Sequence, residues 1–137
     1  MRSLASIRNA LLVPAGVVVA LYAPSALAHG QSKPHERSFQ TTGGAVECQI
    51  EDGGTDVDAY CQTTQPPRSV TLSASGKTLT CSGATCIGAA RLDAQAIVAG
   101  GSVTLGPFSC SVMTASVSCR VGRRGGFSIS PSGVKAL

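Results

Sequence analysis

The chain has no tryptophan, two tyrosines and three phenylalanines, so aromatic residues fill 4% of its 137 positions. Each buried aromatic covers about 150–250 Å², so a core this poor in them is thin and built mainly from Val, Ile, Leu and Ala. Charge is scarce as well: 13% of residues are charged and the net charge is only +4. That falls well short of a nucleic-acid footprint, and no nucleic-acid partner is expected. The only histidines, His29 and His35, precede the whole β-rich region. Its many serines therefore lack a nearby general base, and no catalytic residue is assigned. No apolar run reaches the roughly 18 residues of a membrane span; residues 10–21 come closest but carry Pro14 and Gly16.

What those first residues do carry is an export signal. Arg2 and Arg8 are followed by the apolar segment "ALLVPAGVVVAL" and then by "SALA", with small residues at Ala26 and Ala28. This order predicts a signal peptide over residues 1–28, cleaved between Ala28 and His29. No cysteine stands at that junction to take a lipid, and no twin-arginine pair precedes the apolar run. Cleavage leaves 109 residues, enough for one domain, with nine basic residues against seven acidic ones. Residues 29–38, "HGQSKPHERS", are polar and without apolar period, and read as a flexible arm before a domain over residues 39–137.

All six cysteines, Cys48, Cys61, Cys81, Cys86, Cys110 and Cys119, lie in the exported part. An even number in a small exported chain implies a disulfide framework and an extracellular or envelope location. Zinc sites favour two or three residues between paired cysteines and often add histidine, and a thioredoxin-like centre needs C-x-x-C beside a βαβ pattern. The gaps here hold twelve, four and eight residues, so neither a metal nor a cofactor is expected. Side chains alternate along a strand, so folding "FSCSVMTASVSCRV" about Thr114–Ala115 sets Phe108 opposite Val121, Cys110 opposite Cys119 and Val112 opposite Val117, all on one face. Folding "AVECQIEDGGTDVDAYCQ" about Gly54–Thr55 likewise opposes Cys48 to Cys61 and Ile50 to Ala59. "CSGATC" closes a tight loop in which Gly83 can take a positive φ. The predicted pairing is therefore sequential: 48–61, 81–86 and 110–119.

The rest of the chain reads as short strands separated by Gly, Pro and Ser. They are predicted at residues 39–41, 45–50, 57–62, 69–73, 77–81, 86–90, 96–99, 102–105, 108–113, 116–121 and 126–130. "SASGKT" is a hairpin turn and "QPPR" a crossover; residues 89–99 are the one stretch with helical spacing. This density predicts an all-β fold, a small antiparallel sandwich or barrel with three local disulfides.

The motifs "F-x-T-x-G-G-x-V-x-C" from Phe39, "C-x-G-x-x-C" from Cys81, "G-x-V-x-L-G-P-F-x-C" from Gly101 and "G-G-F-S-I-S" from Gly125 occur in that order. The succession resembles a group of small secreted, disulfide-containing actinobacterial proteins, mycobacterial and streptomycete, with no assigned biochemical function. Relatives tend to carry "S-G-N" where Thr42-Gly43-Gly44 stand here. The resemblance implies export and a disulfide-linked β domain, and no catalytic residue.

Three constellations remain. Cleavage at Ala28 would make His29 the amino terminus, the start of a copper clamp with His35 as second ligand, but two ligands on one arm are not preorganised. Glu47, Glu51, Asp52, Asp56 and Asp58 gather at the first hairpin; alternation puts Glu47, Gln49 and Glu51 opposite Cys48, on a solvated face. The alternative there is a carboxylate pair of a glycan hydrolase or a weak calcium site. Finally, "RVGRRGGF" sets Arg120, Arg123 and Arg124 around glycines whose backbone N–H groups could meet an anion. The expectation is a non-enzymatic exported domain acting by surface contact with an anionic envelope lipid or glycan, or with another protein. An extracellular enzyme, copper-dependent through His29 or carboxylate-based, is the alternative.

Overall fold

The computed structural model describes residues 35–137; the predicted export signal, its predicted cleavage site and His29 lie outside them. Among the described residues eleven strands form two sheets. The first contains β1 (Glu36–Thr41), β2 (Glu47–Gly53), β3 (Asp56–Thr64), β4 (Pro67–Ser73), β5 (Thr78–Ser82) and β6 (Gln95–Ile97), in the order β5-β4-β3-β2-β1-β6. The second is a meander of β7 (Ser102–Leu105), β8 (Phe108–Val112), β9 (Val117–Val121), β10 (Gly126–Ser130) and β11 (Gly133–Ala136). All pairings are antiparallel except β1 with β6.

The inner faces pack on each other, β10 against β3 and β4 and β2 against β7. Period-two alternation makes this possible: Phe108, Cys110 and Val112 are buried while Ser109 and Ser111 are exposed. Phe39, Phe108 and Phe127 are the largest buried side chains, and Val, Ile, Leu and Cys fill most of the space between them. The fold is the expected small all-β domain, and its open sheet edges make it a sandwich rather than a closed barrel.

The disulfides pair 48–61, 81–86 and 110–119. Cys110 faces Cys119, Phe108 faces Val121 and Val112 faces Val117, the register that alternation predicts. In the first hairpin Cys48 faces Cys61 and Ile50 faces Ala59, about a turn in which Gly54 has φ +68°. The cysteine Cα atoms lie 4.1 Å and 4.0 Å apart in these two hairpins, close to the short spacing of antiparallel pairs that lack ladder hydrogen bonds.

Three local expectations differ. "QPPR" is no crossover: Thr64 pairs with Pro67, Gln65–Pro66 is cis, and the Thr63 hydroxyl donates to the Pro66 carbonyl at 2.6 Å, so β3 and β4 form a hairpin. Residues 86–90 are not a strand, because side chains of β3 take the backbone groups that a ladder would use. Residues 95–97, within the stretch of helical spacing, form β6 where a strand was predicted at 96–99, and it lies parallel to β1. β1 begins at Glu36, inside the segment read as an arm, and His35 is tied to β2: the Asp52 N–H donates to its carbonyl at 2.7 Å. β11 was not anticipated; its Val134 packs against the core.

Candidate functional sites on the two outer faces

β5 and β6 stand at opposite edges of the first sheet, so residues 83–94 must cross its outer face. This strap is held by outward-facing side chains of successive strands. Gln62, itself buried, accepts from the Gly88 N–H at 2.8 Å and donates to the Gly88 carbonyl at 3.3 Å. The Tyr60 hydroxyl shares its one hydrogen between the Gln62 side-chain oxygen at 2.8 Å and the Cys86 carbonyl at 3.2 Å, and the Glu47 carboxylate accepts the Arg91 N–H. Gln40 donates to the Ala94 carbonyl at 3.4 Å, and the Arg91 guanidinium pairs with Glu36 at 3.1 Å. A cleft of about 440 Å³ remains beneath the strap, lined by Gln49, Tyr60 and Ala89 among others. Glu47 therefore does not sit on a solvated face as alternation alone suggested. The strap covers it, and its carboxylate is spent on a backbone N–H.

Of the acids of the first hairpin, Glu47, Glu51 and Asp58 lie on this face, whereas the Asp52 carboxylate lies on the Cys48 side, beside Gly106 of the β7–β8 turn. Glu36, Glu51 and Asp58 form one cross-strand row, with Glu51 directly opposite Asp58. Burial, and secondarily the nearby charge of Asp56, raises the Asp58 pKa above its ordinary value. No group of three or more His, Cys, Asp or Glu among the described residues is gathered closely enough to hold a metal ion. The calcium version of the carboxylate reading thus lacks a donor set there. His35 places its ring Nδ1 2.8 Å from the Asp52 carbonyl, at the edge of the same sheet.

The second sheet presents a different surface. Lys135, Ser128, Ser118, Ser111 and Ser102 are cross-strand neighbours in one row over all five strands. The next row brings Arg120 beside Ser109 and Thr104. Among the described residues no segment covers these side chains. The only charges in residues 102–137 are Arg120, Arg123, Arg124 and Lys135, whereas all seven acids of the chain lie between Glu36 and Asp93. The sandwich is therefore divided by charge, with a cationic, hydroxyl-lined face on one side.

The candidate arginines are brought to one end of this face. Arg120 projects outward from β9, and Arg123 and Arg124 occupy the β9–β10 turn. A depression of about 240 Å³ is lined by Pro107, Gly122, Arg123 and Arg124. Arg124 is partly committed, since its guanidinium donates to the Ala74 carbonyl at 3.2 Å. The glycines have a packing duty: a Cβ at Gly125 would lie 2.6 Å from the Gly76 carbonyl oxygen, so the turn rests directly on the β4–β5 turn. Toward the other end a wider depression, about 560 Å³, includes Ser128, Ser130, Ser132 and Lys135 in its lining.

Reasoning on the cysteines and arginines missed both the strap and the serine row. The row is visible as alternation in "FSCSV", "VSCRV" and "FSIS". The strap has no comparable signal, because Gln40, Glu47 and Gln62 look like ordinary solvent-facing strand residues. In comparisons with known proteins, no protein-family model matches the chain, and neither a curated protein nor a solved structure matches it.

Proposed function

We propose that the protein is an exported, non-enzymatic β domain that works by surface contact, docking the outer face of its second sheet on the anionic headgroups of envelope lipids. What carries the reading is the division of charge: four cations and no acid across residues 102–137. Arg120, Arg123, Arg124 and Lys135 supply the charge, and the serine row supplies hydroxyls that donate to phosphate oxygens. Each basic residue near an anionic membrane contributes about 1 kcal/mol, so such docking is weak, reversible and sensitive to salt. Export is supported by the residue order of positions 1–28 and by the resemblance to small secreted proteins. Three disulfides suit an oxidising compartment, and no helix among the described residues is long and apolar enough to cross a membrane.

The test is sedimentation of the protein with vesicles of phosphatidylglycerol in phosphatidylcholine, against phosphatidylcholine alone. Binding is expected only to the anionic vesicles, fading as salt rises. Replacing Arg123→Ala with Arg124→Ala should weaken it by roughly ten-fold or more, the loss of two such contacts. Equal binding to neutral vesicles, or full binding by the double variant, overturns the proposal. Turnover of an envelope glycan that disappears in Glu51→Gln would replace it with the carboxylate alternative, which the raised pKa of Asp58 opposite Glu51 favours.

A further inference from the structure

The three disulfides are not equivalent. Cys48, Cys61, Cys110 and Cys119 are at most 2% exposed and belong to the core. Cys81 is exposed and Cys86 half-buried, because Cys81 points outward from the edge strand β5. This bridge ties no core strand to another. It joins the sheet edge to the first residues of the strap, just after Gly83, whose φ is +116°. From there the strap runs over the cleft beside Tyr60 on a few contacts: Cys86 to Tyr60, Gly88 to Gln62 by two hydrogen bonds, Arg91 to Glu47 and Glu36, and Ala94 to Gln40. Most of these are peripheral hydrogen bonds or an exposed ion pair, contacts that each contribute little on their own. None of residues 83–94 is buried. At the start of the strap the covalent bridge stands beside one backbone hydrogen bond, from the Gly83 N–H to the Pro67 carbonyl at 2.9 Å, and is the only covalent restraint among the described residues of the strap.

We propose that Cys81–Cys86 is a thiol-exchange site at which an external dithiol reductant unlatches the strap, opening the outer face of the first sheet while the sandwich stays folded. The thiolate of the reductant attacks one sulfur of the bridge, forming a mixed disulfide and releasing the other cysteine as a thiol after proton uptake. The second thiol of the reductant then displaces the remaining cysteine. The protein has gained two electrons and two protons, and the reductant has become a disulfide. Access decides which bridge reacts: a thiolate reaches an outward-facing sulfur directly, whereas the two core bridges are reached only when the sheets open. Reduction leaves the strap on its hydrogen bonds to Gln62 and Glu47, and the segment gains the freedom to lift from Tyr60.

The test uses the folded protein and dithiothreitol, with iodoacetamide trapping and peptide mass spectrometry, followed by hydrogen exchange. Cys81 and Cys86 should become alkylated at least roughly ten-fold faster than the other four cysteines, as local opening outruns global opening. In the singly reduced protein the Gly88 and Arg91 amides should exchange faster, and amides of β3 and β9 should not. A variant carrying Cys81→Ser and Cys86→Ser should reproduce that exchange pattern without any reductant. Simultaneous loss of all three bridges overturns the proposal. So does selective reduction, or the double variant, that leaves Gly88 and Arg91 as protected as in the oxidised protein.

Discussion

Each sheet carries a cross-strand disulfide that faces the core from the middle of a hairpin, with Cα atoms 4.1 Å apart in the first sheet and 4.0 Å in the second. On their outer faces the sheets part company. The first is acidic and crossed by a strap, whereas the second is cationic, hydroxyl-lined and bare. Topology accounts for the difference. The second sheet is a meander whose strands join their neighbours through short turns, so no connection is left over to cover it. The first sheet places β5 and β6 at opposite edges, and the chain between them has only one way to go. The inner faces are written by local alternation; the outer faces depend on which connection is long.

If the two inner bridges are the same device, removing either should cost about the same. Loop-closure entropy assigns about 3 kcal/mol to a loop of this size, for Cys48–Cys61 and for Cys110–Cys119 alike. Replacing either pair by alanine should lower the thermal midpoint by on the order of 10–20 °C, since 1 kcal/mol corresponds to about 4–8 °C in a domain of this size. Alanine is the appropriate substitute, because a serine hydroxyl in these dry positions adds its own desolvation penalty. Calorimetry on both variants makes the check. A large loss in one sheet and none in the other would break the equivalence.

The outer faces should respond unequally. Gln62→Ala removes both side-chain bonds to Gly88 and one acceptor of the Tyr60 hydroxyl, 2.8 Å away. Losing a buried hydrogen-bonded group costs about 1–3 kcal/mol, and the strap amides should lose protection with it. Ser111→Ala on the bare face touches no such network and should change stability by less than about 0.5 kcal/mol. Urea unfolding of both variants, with hydrogen exchange of the Gly88 amide, measures the contrast. Equal effects would mean that the strap adds nothing to the sheet it covers.

Much of the inner architecture was legible in the sequence, because alternation is a local property. "FSCSVMTASVSCRV" contains its own register, and the cysteine pairing follows from it. What escaped depends on residues far apart in the chain. That Gln62 holds Gly88 needs β3 and residue 88 to meet across 26 positions, and a glutamine on a strand carries no mark of such a partner. The parallel pairing of β6 with β1 is equally non-local, and three residues of "QAI" are too few to show a period. "QPPR" misled because a double proline interrupts a strand signal whether the chain turns back or crosses over. The basic turn was visible as composition; what composition does not carry is that Gly125, lacking a side chain, lets two turns touch.

The smallest expected effect lies in the acid row of the covered face. Asp58 stands opposite Glu51 and has its pKa raised by burial and then by Asp56. The folded protein therefore holds this proton at pH values where the unfolded chain has released it. The stability contributed by Asp58 is fully present below its ordinary value of 3.8 and is lost as pH rises through the window above it, up to the raised value. Asp58→Asn cannot lose the proton, so it should raise the thermal midpoint slightly near pH 7 and leave it unchanged near pH 3. Melting curves of the two proteins across this range decide the matter. The second sheet has no carboxylate side chain to titrate beside Ser111, so Ser111→Ala should shift the curve by nearly the same amount at every pH. A gain from Asp58→Asn that does not depend on pH would mean that it arises from packing, and that the acid row imposes no electrostatic penalty on the covered face.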